Sequence, residues 1–420
     1  MNAITAREHP QPISACRLCR SPRLDAVLEL GSQALTGIFP HQANAPVACG
    51  PLSLVLCRSC QLVQLGHSYR DFELYGANYG YRSGLNASMV AHLSEKCHAL
   101  ERELALRSGD AVVDIGSNDG TFLRAFRTSG LRKIGIDPTA AKFRDYYDPE
   151  TTVVPDFFSR EKIMAELGGA KARLVTSIAM FYDLESPRDF VADVAAILAP
   201  DGLWHFEQSY MPSMLRMNSY DTICHEHLEY YSLTVIHRLL AGEGMKIVDI
   251  QMNSVNGGSF AVTAAHRDSS HREAYRLVDW FLSSEAGLQL GETSTYGHFA
   301  ERIHRHRSEL RSLIHALRKN GSRILGCGAS TKGNVILQFC GLGPSEIDAI
   351  SDINPDKWGK FTPGTGIPIV SEEEAREMRP DYMLVLPWHF KEGIVRREQE
   401  FLKRGGRLIF PLPEIEIVGF

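Results

Sequence analysis

The chain has 420 residues, a formal net charge of −5, 44% hydrophobic and 23% charged residues. That length holds two or three domains, each with a core of its own. The charge balance excludes a general pull toward nucleic acid or anionic membrane, and no apolar run approaches the ~18 residues of a membrane span. The opening MNAITAREHPQPISACRLCR lacks the apolar core of a secretion signal, which points to a cytoplasmic protein.

Nine cysteines are too sparse and uneven for a disulfide scaffold. Four form two C-x-x-C pairs, Cys16/Cys19 and Cys57/Cys60, with 37 residues between them. Two such knuckles supply four thiolates to one tetrahedral ion, so a structural zinc site is expected. Cys49 reads as a spare, and Cys97, Cys224, Cys327 and Cys340 as small buried residues. The passage YGANYGYRSG, Tyr75 to Gly84, has too many glycines for a helix, and a helical stretch follows from Ser88 to Leu106.

AVVDIGSNDGTFLRAF, Ala111 to Phe126, is a β-branched run ending in an acid, then a glycine-bearing loop, then helical spacing. KIGIDP carries Asp137 near its end, 21 residues after Gly116. ARLVTSIA as strand, RDFVADVAAIL as helix, a PDG turn and LWHFEQ as strand continue the alternation, which implies a doubly wound, mostly parallel α/β sheet. YDTICHEHLEYYS, Tyr220 to Ser232, surrounds Glu226 with two histidines. The zinc-protease spelling H-E-x-x-H fails, because position 229 is Glu229. In an extended segment His225 and His227 share one face and Glu226 takes the other. Residues 270 to 319 read as a helical connector. A second α/β unit then runs through RILGCGASTKGNVILQF, IDAISDINPDKWGKFTPGTGIPIV, DYMLVLPWHF and GGRLIFPLPE.

Open α/β sheets bind ligands at the carboxyl ends of their strands, where backbone amides and helix N-termini meet. The first loop has glycines at 116 and 120 only, short of the G-x-G-x-x-G that a pyrophosphate prefers. Asp119 would repel a diphosphate and suits a positive aminoacyl or sulfonium group, while Asp137 is placed for a ribose diol. In the second unit Lys332 and the amides at a helix start suit a diphosphate.

V-V-D-I-G-S-N-D-G resembles motif I of class I S-adenosylmethionine-dependent methyltransferases, with Asp137 as the ribose acid. The full order of motifs is more specific. Two C-x-x-C pairs, this loop, HEH with YYS, NGGS, GASTKGN, DINPDKWGKFTPGTGIPI and LVLPWHF together resemble the nucleotide-sugar C-methyltransferases acting on 4-keto-deoxyhexoses, over essentially the whole chain. The resemblance implies a zinc-binding module (1–68), a methyltransferase domain with helical connector (69–319) and a Rossmann-like sugar-nucleotide domain (320–420).

It also implies C-methylation α to a ketone, C3 favoured over C5, with S-adenosylmethionine as donor and zinc as structural metal. His227 is then the candidate base, Glu226 a ligand-positioning residue, His225 an orienting one, and Tyr79 and Tyr81 further active-site candidates. The cofactor set is Asp114, Gly116, Ser117, Asn118, Asp119, Gly120, Asp137 and Phe157. The substrate set is Cys224, Asn256, Ser330, Lys332, Asn334 and Asp352. The partner is a nucleotide sugar, with no nucleic acid and no membrane.

Three positions depart from the family pattern: Cys224 stands where a tyrosine precedes HEH, and N-G-G-S-F-A, with Asn256 and Ala261, replaces H-G-G-S-x-R. All three put the choice of sugar in question. Two other functions stay open: an NAD(P)-dependent sugar oxidoreductase or epimerase using the loop at Gly326, with Asp352 24 residues beyond Gly328, and a non-enzymatic zinc-ribbon binding module. Residues 1 to 68 hold no dense basic cluster for the latter.

Overall fold

The computed structural model describes residues 10–69 and 81–419. The N-terminal part is built from β1 (Leu24–Ala34), β2 (Cys49–Cys57) and β3 (Val63–Leu65), paired antiparallel. Arg20 and Gln61, each following a C-x-x-C pair, adopt left-handed φ of 61° and 65°. Their amides donate to the carbonyls of Cys16 and Cys57, both at 2.9 Å. These two matched turns face the four thiols toward one another.

Helix α1 (Ala87–Glu103) starts at Asn86, whose side chain accepts from the Ser88 amide. It buries Met89, Leu93, Cys97 and Leu100, one stripe at helical spacing. β4 (Ala111–Ile115), β5 (Arg132–Ile136), β6 (Thr152–Val154) and β7 (Ala172–Ile178) follow, then α2 (Pro187–Ile197) and β8 (Leu198–Ser209). The PDG segment does not break β8 but is carried within it as a register irregularity between Leu198 and Leu203. β9 (Glu229–Tyr230), β10 (Met245–Asn253) and β11 (Ser259–His266) complete this part. The seven-stranded sheet has the order β10-β11-β8-β7-β4-β5-β6, parallel from β8 to β6, with β11 antiparallel to both its neighbours. This is the doubly wound sheet of the class I methyltransferases.

β9 stands outside that sheet and pairs antiparallel with β3, giving the N-terminal sheet the order β9-β3-β2-β1. The segment just after HEH is thereby sewn into the cysteine module. The expected connector is helical: α3 (Tyr275–Gly287) and the 27-residue α4 (Thr293–Lys319). The last part contains β12 (Ile324–Cys327), α5 (Thr331–Cys340), β13 (Ile350–Ser351), β14 (Ile369–Val370), β15 (Tyr382–Val385), β16 (Arg407–Phe410) and β17 (Glu416–Val418). Its sheet runs β14-β13-β12-β15-β16-β17, parallel except for β17.

One buried apolar cluster runs from Leu54 and Leu56 through Tyr220 and Cys224 to Ile303, Ile336 and Leu384. It joins all three parts. Each such side chain contributes about 1.5–3 kcal/mol by burial, so the clefts between the parts have firmly packed walls. Cys97, Cys224, Cys327 and Cys340 are buried, as expected, and Cys49 is exposed. Among the described residues, no helix is long and apolar enough to cross a membrane.

Candidate active site

Two adjoining cavities lie at the carboxyl ends of the parallel strands. The first is floored by the loop after β4 and lined by Asp114, Gly116, Ser117, Asn118, Asp137 and Phe157, among others. Gly116 has φ +75°, and a Cβ there would meet Met180 at 2.9 Å, so only glycine brings the backbone this close. Asp137 accepts from the amides of Asn118 (2.9 Å) and Thr139 (2.6 Å). Burial nevertheless holds its carboxyl above the ordinary range. Asp114 accepts from the Thr176 hydroxyl at 2.6 Å, and burial pushes it up to about 7.

Asp119 and Gly120 are not among the lining residues. Asp119 is 1% exposed and turns away, accepting from the Gly84 amide at 3.0 Å and the Thr121 hydroxyl at 2.5 Å. Gly120, at φ +72°, packs on the Tyr147 ring.

The second cavity is walled by all three parts of the chain: Gly37 and Phe39, then Tyr182, Glu226 and His227, then Lys332, Lys357 and His389. Tyr81, Met89, Ala179, Asp183 and Asn256 line both cavities. A molecule in one therefore faces a molecule in the other across a shared wall.

HEH is a turn, not an extended segment, closed by the His227 amide donating to the Cys224 carbonyl at 3.2 Å. The alternation expected for a strand is therefore replaced. Glu226 and His227 both line the second cavity, and His225 faces elsewhere. His225 sits against the Tyr69 ring at 4.8 Å, with Nε2 3.3 Å from the Gly50 carbonyl. His227 Nδ1 donates to the Thr222 carbonyl at 2.7 Å, which leaves Nε2 as the lone-pair nitrogen. Burial, helped by the nearby Lys332 charge, lowers its pKa to about 3, so the ring is neutral. The Glu226 carboxyl is 8% exposed, its Oε1 has no hydrogen-bond partner among the described residues, and burial pushes it up to about 7. A buried acceptor left open at a cavity wall is a seat for a ligand donor.

In the same cavity, α5 begins at Ser330, whose hydroxyl accepts from the Gly333 amide. Lys332 Nζ donates to the Asn256 carbonyl at 3.0 Å, and Lys357 Nζ to the Ala329 carbonyl at 2.7 Å. Two ammonium groups and a helix N-terminus converge there, a match for a diphosphate.

Three expected substrate residues lie off the cavity. Cys224 is fully buried in the apolar core; the turn that brings Glu226 and His227 forward leaves it behind. Asn334 is buried and donates to the Thr36 carbonyl at 2.7 Å. Asp352 accepts from the amides of Ala329 and Asn354, both at 2.8 Å, and does not line the cavity. Tyr79 lies outside the described residues.

Tyr182, Asp183, Lys357 and His389 went unnoticed in the sequence. Tyr182 and Asp183 follow the end of β7, where a ligand-facing residue belongs, and the Tyr182 ring packs against that of His227, tilted by 57° with the centroids 4.2 Å apart. Lys357 stands inside DINPDKWGK, and nothing local marks its Nζ as facing α5.

The Sγ atoms of Cys16, Cys19, Cys57 and Cys60 all lie within 4.8 Å of one another. Cys16 and Cys60 are 3.6 Å apart, Cys19 and Cys57 3.5 Å. A tetrahedron with Zn–S bonds of 2.3 Å has edges of about 3.8 Å, so the set fits zinc, and the pairs are too far apart for disulfides. Gln64, fully buried on β3, donates to Cys16 Sγ at 3.2 Å and accepts from the Arg17 amide at 2.9 Å.

Models of three domain families match the chain: a zinc binding domain over 16–75, a methyltransferase domain over 89–250 and a C-methyltransferase C-terminal domain over 254–413. The C-methyltransferase NovU of Streptomyces niveus is 35% identical over 412 residues, covering 97% of each chain. Among solved structures, a magnesium protoporphyrin IX methyltransferase from Synechocystis is similar over 43% of this chain and 78% of its own, at 16% identity and a TM-score of 0.31. An O-methyltransferase family protein from Burkholderia thailandensis is similar over 44% and 58%, at 15% identity and a TM-score of 0.33.

Proposed function

The chain belongs to the S-adenosylmethionine-dependent C-methyltransferases, with a structural zinc site, and from that premise we propose that its acceptor is a nucleotide-linked 4-keto-deoxysugar methylated on the carbon α to the ketone. The observation that carries this is the second cavity. It brings together an open imidazole nitrogen, a carboxyl with an unpartnered oxygen, two lysines and a helix start, and it shares a wall with the first cavity. The division of labour follows residues 1–68, 69–319 and 320–420.

S-adenosylmethionine supplies a methyl group already activated by its sulfonium charge. Asp137, Ser117 and the backbone at Gly116 hold the donor in the first cavity. Lys332 and Lys357 hold the diphosphate, and Glu226 accepts from a sugar hydroxyl. His227 Nε2 removes the α-proton, which is possible because Nδ1–H is tied to Thr222 and the ring is neutral. A diphosphate beside Lys332 offsets the charge that lowers the imidazole's pKa, so acceptor binding itself strengthens the base. Tyr81 is the donor available to the enolate oxygen while its carbon takes the methyl group. The four thiolates act at a distance, through β3 and β9, by fixing the HEH turn.

Calorimetric titration with S-adenosylhomocysteine, and with a panel of nucleoside diphosphates, tests the reading. Both classes are expected to bind, in separate cavities, and one diphosphate to be preferred. A protein that binds S-adenosylhomocysteine but no nucleoside diphosphate would sink the proposed acceptor.

A further inference from the structure

Asp119 sits in the middle of the glycine loop yet presents nothing to the first cavity. Its carboxylate faces the chain segment that precedes α1. Oδ2 accepts from the Gly84 amide at 3.0 Å and lies 3.8 Å from Arg82 Nε. Oδ1 accepts from the Thr121 hydroxyl and amide at 2.5 and 3.2 Å. Its neighbour Asn118 does the same with its amide. Oδ1 accepts from the Ser83 amide at 2.9 Å, and Nδ2 donates to the Tyr81 carbonyl at 3.3 Å. The contact is close: a Cβ on Gly84 would meet Asp119 Oδ2 at 2.6 Å. From below, the Tyr147 hydroxyl donates to the Asn118 carbonyl at 2.7 Å. The loop is thus clamped between Tyr147 and residues 81–84, and Tyr81, the first residue of that stretch, lines both cavities.

We propose that Asp119 is a positioning residue for the acceptor side: with Asn118 it ties the donor-binding loop to residues 81–84, and so sets Tyr81 as the movable wall between the two cavities. The loop that binds the donor through Gly116, Ser117 and the Asn118 backbone carries on its outer side the hydrogen bonds that place Tyr81. Filling the first cavity firms the loop, and the firm loop fixes Tyr81 against the acceptor. This rests on the reading of the second cavity as the acceptor's.

Asp119→Asn keeps an oxygen for Thr121 but turns a donor toward the Gly84 amide and loses the ion pair with Arg82. Gly84→Ala pushes the two segments apart and leaves the glycine loop chemically intact. In both variants the acceptor's KM, or the Kd of the preferred nucleoside diphosphate with S-adenosylhomocysteine present, is expected to rise about tenfold. The Kd for S-adenosylhomocysteine alone should stay within about threefold. In a Tyr81→Ala background, Asp119→Asn should add almost nothing, because both changes disable one device.

Amide exchange supplies an arm that needs no acceptor. S-adenosylhomocysteine should slow exchange at Ser83 and Gly84 in the wild type and not in Asp119→Asn. The proposal is overturned if Asp119→Asn weakens S-adenosylhomocysteine about tenfold with the acceptor unaffected, as a donor-facing carboxylate would. It is equally overturned if neither ligand responds, or if the effects of Asp119→Asn and Tyr81→Ala simply add. Should the wild type bind no nucleoside diphosphate while the exchange arm behaves as stated, the acceptor chemistry is wrong and the tie through Asp119 stands.

Discussion

Gly37 belongs to the cysteine module, yet a Cβ added there would lie 2.3 Å from Glu226 Oε1 and 3.5 Å from Glu226 Cδ. Gly37→Ala therefore displaces one carboxyl group and little else. The intruded atom is the tip of a flexible side chain, so the carboxyl swings aside and the fold loses only about 1 kcal/mol, the low end of overpacking costs. What is lost at the site is larger. A hydrogen bond between a sugar hydroxyl and a charged or buried carboxyl contributes about 2 kcal/mol. At 1.36 kcal/mol per decade, kcat/KM for the acceptor should fall about 30-fold. Neither Gly37 nor Glu226 lines the first cavity, so affinity for S-adenosylhomocysteine should not move. Steady-state kinetics with the keto-sugar nucleotide, calorimetry and a thermal melt read all three quantities. An acceptor kcat/KM within about twofold of wild type would refute the seat assigned to Glu226.

Chelation of zinc, or Cys57→Ser, releases Gln64 from Cys16 and loosens β3 against β9; acceptor turnover should disappear while S-adenosylhomocysteine still binds by calorimetry. Asp137→Asn should weaken S-adenosylhomocysteine about 10- to 100-fold, the value of a charged hydrogen bond to a ribose diol, and leave nucleoside diphosphate affinity unchanged. Lys332→Met removes a positive charge that lowers the His227 pKa; the acid limb of the kcat/KM profile should move to higher pH as the acceptor KM rises. The folded His227 ring titrates near 3, against 6.5 ordinarily. The unfolded chain thus takes up a proton that the folded one refuses. Stability from this group is complete above pH 6.5 and lost as pH falls toward 3. His227→Asn should therefore flatten the urea-unfolding free energy by about 1.4 kcal/mol per pH unit between roughly pH 6 and 4.

The α/β alternation was legible because buried parallel strands announce themselves as β-branched runs; Ala111–Ile115 and Ala172–Ile178 stand where those runs are. The four thiols were legible from spacing alone, since a C-x-x-C turn brings its own two ligands together. HEH was legible as a cluster, but its facing was not. Period-two alternation holds only for extended chain, and the hydrogen bond from the His227 amide to Cys224 makes this a turn. Asp119 looked donor-facing because its charge complements a sulfonium; its real partners lie 35 residues back in the chain, at Gly84. Lys357 reaches the site only because the C-terminal sheet folds its loop against the start of α5. Such long-range placements leave no local pattern in a sequence.

The central claim is that His227 takes the α-proton. The most direct test incubates the protein with S-adenosylhomocysteine and a 4-keto-sugar nucleotide in deuterated water and follows the α-position by NMR. The wild type should wash deuterium into that carbon without methylating it. His227→Ala, with S-adenosylhomocysteine and nucleoside diphosphate binding intact, should not. Undiminished exchange in the variant would put the base elsewhere in the cavity.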